Sequence, residues 1–103
     1  MLKVILGDWM DSKQLAKFAL NHLDYTLLDS DASEQQILEF LENASKWKPA
    51  AVCVLPSEVS RAREMLDSEI FVASAAGCFP DPNGDIHERI NDIKIAIDGG
   101  ANE

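Results

Sequence analysis

The sequence predicts a parallel α/β fold, and three observations carry that expectation. Apolar residues switch along the chain between strand-sized runs and stripes at helical period. The run Ala50-Ala51-Val52-Cys53-Val54-Leu55 lacks polar alternation, as a strand covered by helices on a parallel sheet would. Each strand-like run is separated from the next by a helical stretch too long for a hairpin, so right-handed crossovers between parallel strands are the expected joins.

A first helix is expected over residues 11–21, capped by Asp11 or Ser12, with Leu15, Phe18, Ala19 and His22 on one face. The short run Asp24-Tyr25-Thr26-Leu27-Leu28 is rich in strand formers and ends at the acidic turn Asp29-Ser30-Asp31. Ser33 with Gln36 forms a capping box that opens a second helix, whose stripe is Ile37, Phe40, Leu41 and Ala44 and which Pro49 ends. Residues 50–55 form the second strand.

Pro56-Ser57 opens a third helix that buries Val59, Ala62 and Leu66. Residues 70–76 are the third strand, running into Gly77-Cys78-Phe79-Pro80 and the turn-rich Asp81-Pro82-Asn83-Gly84. A fourth helix is expected over residues 85–98, with Ile86, Ile90, Ile93 and Ile97 on one face and an αL-tolerant glycine of Gly99-Gly100 at its C-cap. Ala101-Asn102-Glu103 reads as the lead-in to another strand. Three parallel strands leave two open edges, a poor arrangement for a monomer. No internal domain boundary or low-complexity segment is visible.

Composition narrows the function classes. A net charge of −9, with nine scattered basic residues of which only Arg61 and Arg63 lie close together, argues against a nucleic-acid partner. The apolar stretches are strand-sized, so a membrane span is not expected. The start, Met1 to Asp8, is interrupted by Asp8 and Asp11 and has no small-residue cleavage site, so it does not read as a signal peptide. Cys53 and Cys78 then read as reduced cytoplasmic thiols. Neither they nor His22 and His87 carry zinc spacing, and no metal site is expected.

Three stretches carry a more specific signal. Asp24-Tyr25-Thr26-Leu27-Leu28 resembles the first-strand Asp-x-Thr-x-Leu signature of the deoxyribose-phosphate aldolases, with a matching acidic sequel and helix from Ser33. Ala50-Ala51-Val52-Cys53-Val54 followed by Pro56 resembles the second strand of that family. Gly77-Cys78-Phe79-Pro80, then the helix ending in Gly99-Gly100-Ala101-Asn102-Glu103, resembles its third strand and Gly-Ala-Asp-Glu exit. The resemblance runs from about Leu23 to the end. Cys78, between the glycine and Phe-Pro, and Pro82-Asn83 depart from the pattern and alter the third-strand rim.

The resemblance implies that residues 1–103 are one domain, the N-terminal part of a (β/α)8 barrel with three βα units behind an extra leading helix. It also implies reversible aldol cleavage of 2-deoxyribose 5-phosphate to glyceraldehyde 3-phosphate and acetaldehyde. In the family a strand-six lysine forms a Schiff base that serves as electron sink. A second lysine on strand seven depresses its pKa, and an Asp on strand four assists proton transfer. None of these positions lies in this sequence, so no catalytic residue is expected in the chain, which alone should be inactive. Asp24, Thr26, Leu28 and Cys53 are expected to line the substrate pocket. The implied partner is a small phosphorylated sugar, with no cofactor; the open strand edges point to a homo-oligomer.

Plainer readings stand beside these. Asp24 caps a turn in many folds, Thr26 is a good strand former, and Cys53 is most simply a small buried hydrophobe. Lys3, Lys13, Lys17, Lys46, Lys48 and Lys94 fall on helices, termini or loops and read as surface charge. The Asp29/Asp31 pair resembles a response-regulator pocket, but the third strand ends in Ala75-Ala76-Gly77 without a phosphoryl-accepting Asp. A self-associating partial barrel without catalytic function is the alternative. A small phosphate-binding domain has only its helix N-termini in support.

Overall fold

The computed structural model describes residues 11–103. Their order is α1 (Ser12–Leu20), β1 (Asp24–Leu27), α2 (Glu34–Trp47), β2 (Ala51–Val54), α3 (Pro56–Met65), β3 (Phe71–Ser74) and α4 (Ile86–Asp98). The apolar start of the chain and Lys3 lie outside the described residues. Every expected helix and strand from residue 11 onward is present, each within a few residues of its expected bounds. No helix of the described residues is long and apolar enough to cross a membrane.

The strands form a three-stranded parallel sheet in the order β1-β2-β3. Asp24, Tyr25, Thr26 and Leu27 stand opposite Ala51, Val52, Cys53 and Val54, which in turn stand opposite Phe71, Val72, Ala73 and Ser74. Helices α2 and α3 are the crossovers, α4 follows β3, and the core lies between the three helices and one face of the sheet. Phe40, Leu41, Ala44, Val52, Val54, Val59, Ala62, Leu66, Ile70, Val72 and Ala96 are buried there, with Tyr25 and Leu27 packed against them. Tyr25 stacks on Phe40 with ring centroids 4.5 Å apart.

Local chemistry sets the element ends. Asp11 caps α1 and Ser33 caps α2, each as a reciprocal capping box with the glutamine three residues on. Pro56 occupies the first turn of α3, where its missing N–H is no loss. The C-terminus of α4 differs from expectation. The cap, Gly99, is right-handed, and the left-handed residue is Gly100 (φ 101) one step beyond. Gly100 N–H donates to Ile97 O and Ala101 N–H to Ala96 O, which closes a Schellman motif. Gly99 is small for another reason: a Cβ there would come within 3.1 Å of Val59 Cγ1 on α3.

Two expected apolar stripes are not buried. On α1, Leu15 and Phe18 are only half-buried and Ala19 and His22 are exposed. That helix precedes the first strand and crosses no sheet face; its end meets the sheet where Leu20 O accepts Ala50 N–H at 2.9 Å. On α4, Ile86, Ile90, Ile93 and Ile97 are 61, 44, 43 and 64% exposed, and Ala96 alone is buried.

Asn102 and Glu103 begin to pair with β3, in line with their expected role as a lead-in. Glu103 N–H donates to Val72 O at 3.4 Å and its carbonyl accepts Ser74 N–H at 2.8 Å, the bonds of a residue standing opposite Ala73 in a parallel ladder. The far edge of β1 has no strand beside it among the described residues.

Candidate functional site

Because Tyr25 and Leu27 turn toward the helices, alternation turns Asp24 and Thr26 to the opposite face of β1, and both are exposed. Thr26 stands opposite Cys53, Cys53 opposite Ala73, and Ala73 opposite Glu103. A row Thr26–Cys53–Ala73–Glu103 therefore crosses the sheet face opposite helices α2, α3 and α4, with Asp24 one row below. Leu28 lies just past the end of β1 and is half-buried. Thus Asp24, Thr26 and Cys53 come together as expected from the sequence, and Leu28 sits at the rim above them.

The Cys53 thiol is pushed above its ordinary value, first by partial burial and then by the negative charges of Asp24 and Glu103. Thr26 Oγ1 donates to the Asp24 carbonyl at 3.1 Å. Two carboxylates, a hydroxyl and a protonated thiol make a polar, net negative patch. Among the described residues the patch holds no amine. The described lysines are all exposed on helices or at the α2 cap. Among the described residues no group of three or more His, Cys, Asp or Glu side chains could hold a metal ion.

At the C-terminal end of β3 the chain is tied down from α4. Asp92 accepts the N–H groups of both Gly77 and Cys78 at 2.8 Å, while Arg89 donates to the carbonyls of Gly77, Asp81 and Gly84. Gly77 (φ 93) and Cys78 (φ 66) are both left-handed here, so the departure at Cys78 has a structural consequence. Burial and the Asp92 and Glu88 carboxylates raise the Cys78 thiol, with Arg89 opposing them.

A cleft of about 610 Å³ between Lys17, Leu20, Trp47 and Phe71 opens at the N-terminal ends of the strands. Parallel α/β folds place ligands at the opposite end, so the cleft is the less favourable candidate. Glu103 and Asp92 escaped the sequence reading of the site. Glu103 lies outside the three strands, so alternation assigns it no face; only its backbone bonds to Val72 and Ser74 place it. Asp92 acts through tertiary contact, which leaves no periodic trace.

No protein-family model matches the chain. Among curated proteins, the deoxyribose-phosphate aldolase of Clostridium botulinum (strain 657 / Type Ba4) is 39% identical over 83 residues, 80% of this chain and 39% of that one. The enzyme of that name from Caldicellulosiruptor saccharolyticus is 36% identical over 95 residues, 91% of this chain and 41% of its own. A solved structure assigned as a deoxyribose-phosphate aldolase, from Coccidioides immitis, superposes with a TM-score of 0.73 at 26% identity. It covers 91% of this chain and 37% of that chain. The chain therefore spans about two-fifths of the length of the curated relatives it matches. In sequence and in structure it resembles the deoxyribose-phosphate aldolases over that portion, and its fold is that of a partial (β/α)8 barrel.

Proposed function

We propose that this chain is the N-terminal part of a deoxyribose-phosphate aldolase, one domain of three βα units behind a leading helix. The parent enzyme cleaves 2-deoxyribose 5-phosphate reversibly to glyceraldehyde 3-phosphate and acetaldehyde through a lysine Schiff base, in the cytoplasm. The observation that carries the reading is the polar row on the sheet face opposite helices α2, α3 and α4, within a chain that is 39% identical over 83 residues to part of such an enzyme. Asp24, Thr26, Leu28 and Cys53 line the substrate pocket in this reading, and the amine comes from outside these residues. The chain alone is then catalytically silent.

Borohydride trapping tests this. Purified chain incubated with acetaldehyde and borohydride is expected to gain no adduct at any lysine above a denatured control. A single lysine trapped with high selectivity would refute the division of labour. A second reading, a non-catalytic protein that self-associates through its open edges, draws on the unpartnered edge of β1 and the exposed isoleucines of α4. A chain sedimenting as a dimer or larger at micromolar concentration would favour it.

A further inference from the structure

We propose that Asn83 is a site of spontaneous covalent modification. Its side chain cyclises onto Gly84 N and reopens to aspartate and isoaspartate, and the isoaspartate form undoes the Arg89 clasp on the turn after β3. This chemistry needs only the turn itself and is independent of the aldolase reading. Of the asparagines at positions 21, 43, 83, 91 and 102, only Asn83 precedes a glycine. A following side chain crowds the approach of the backbone nitrogen to the asparagine amide carbon, and glycine has none.

The turn leaves both reacting groups free. Asn83 is exposed, and its N–H is held by Asp81 Oδ1 at 2.8 Å. Its side-chain amide and the Gly84 N–H, the groups that react, make no hydrogen bond among the described residues. Packing fixes the glycine: a Cβ at residue 84 would stand 3.1 Å from Cys78 Cβ and 3.5 Å from Arg89 Cζ. The fold therefore keeps in place the residue that makes the asparagine labile.

Gly84 N attacks Asn83 Cγ and loses its proton, the Cγ–Nδ2 bond breaks, and the side-chain nitrogen leaves as ammonia. Water then opens the cyclic imide at either carbonyl. Opening at Cγ leaves aspartate. Opening at the Asn83 backbone carbonyl leaves isoaspartate, with the chain routed through Cβ and Cγ. Water is the one co-reactant, and nothing is oxidised or reduced. Either product adds a carboxylate between those of Asp81 and Asp85.

Isoaspartate alone lengthens the backbone, by about 1.5 Å of chain between residues 81 and 84. Arg89 spans that stretch with a rigid planar fork. Its Nε donates to Gly84 O at 2.8 Å, Nη1 to Gly77 O at 2.8 Å and Nη2 to Asp81 O at 3.1 Å. A hydrogen bond does not stretch by such a length, so the Asp81 or the Gly84 contact is lost. Asp92 still holds the Gly77 and Cys78 N–H groups, so the turn loosens around Gly84, beside Cys78.

The test ages the folded chain in mildly alkaline buffer until a free peptide spanning residues 79–88 has converted. Peptide mapping should find the mass change of an amide turned to an acid at residue 83, with isoaspartate among the products. The Asn83→Gln chain, whose longer side chain closes the ring far more slowly, should show none. Iodoacetamide should alkylate Cys78 severalfold faster in the aged chain than in the fresh one, with the Cys53 rate unchanged. Aged Asn83→Gln and fresh Asn83→Asp, which has the charge without the added methylene, should both keep the fresh Cys78 rate. An Asn83 that survives the ageing overturns the site. Conversion to aspartate alone, an unchanged Cys78 rate, or a fresh Asn83→Asp chain that already reacts faster overturns the loss of the clasp.

Discussion

Arg63 of α3 and Asn102, which follows α4, are joined by a 2.9 Å hydrogen bond, and the Asn102 oxygen that accepts it also accepts Val72 N–H at 2.8 Å. The same guanidinium donates to the Asp67 and Ile70 carbonyls. One side chain thus ties the loop before β3 to the residues that pair with β3 after α4. Asn102→Ala leaves the N–H of the buried Val72 without its partner and should destabilise the chain by about 1–3 kcal/mol in urea unfolding. Asn102→Asp keeps an accepting oxygen and should lose far less. Equal losses for the two variants would show that the bond contributes nothing.

The sheet and its crossovers were legible because their signals are local and periodic. Val52 and Val54, with Leu41 and Val59, lie where the apolar runs and stripes put them. The isoleucines of α4 show the limit: periodicity marks a stripe as apolar but does not say whether its cover lies within the same 103 residues. The site was half legible. Alternation within β1 placed Asp24 and Thr26 on one face, and the parallel register put Cys53 beside them. The clasps made by Arg63 and Asp92 depend on which loops meet in space, and residue spacing does not encode that.

Leu41 is fully buried between α2 and the sheet, whereas Leu38 on the same helix is 37% exposed. Removing the Leu41 side chain forfeits both its transfer energy and the packing around the cavity left behind. Leu41→Ala should lower stability by about 2–5 kcal/mol. Leu38→Ala should cost well under half of that. Thermal and urea unfolding of the two variants check the contrast, and similar losses would place the core elsewhere.

Lys48 caps α2 in the left-handed region (φ 52), directly before Pro49. A side chain at such a φ is strained by about 1–2 kcal/mol, and glycine removes the clash at some loss of chain entropy. The Lys48–Asp67 ion pair, at 3.2 Å with both partners mostly exposed, is screened and adds little. Lys48→Gly should therefore raise stability by about 0.5–1 kcal/mol. A variant less stable than the parent would mean that the ion pair or the Pro49 junction outweighs the backbone.

Cys53 supplies the pH dependence. Burial, then the Asp24 and Glu103 carboxylates, hold its thiol above the ordinary range in the folded chain. A free thiol ionises near pH 8.5, so below that pH both folded and unfolded states keep the proton and stability is unaffected. Above it the unfolded state ionises first, and folding stability should fall as pH rises through the interval up to the folded value. Alkylation by iodoacetamide at pH 8 should be slower for Cys53 in the folded chain than for a thiol in an unstructured peptide. Asp24→Asn removes one of the two charges and should speed it severalfold, provided the variant keeps the parent circular dichroism spectrum. An unchanged rate would mean that Asp24 does not face the thiol, and the row on the sheet face opposite helices α2, α3 and α4 would then not be the site.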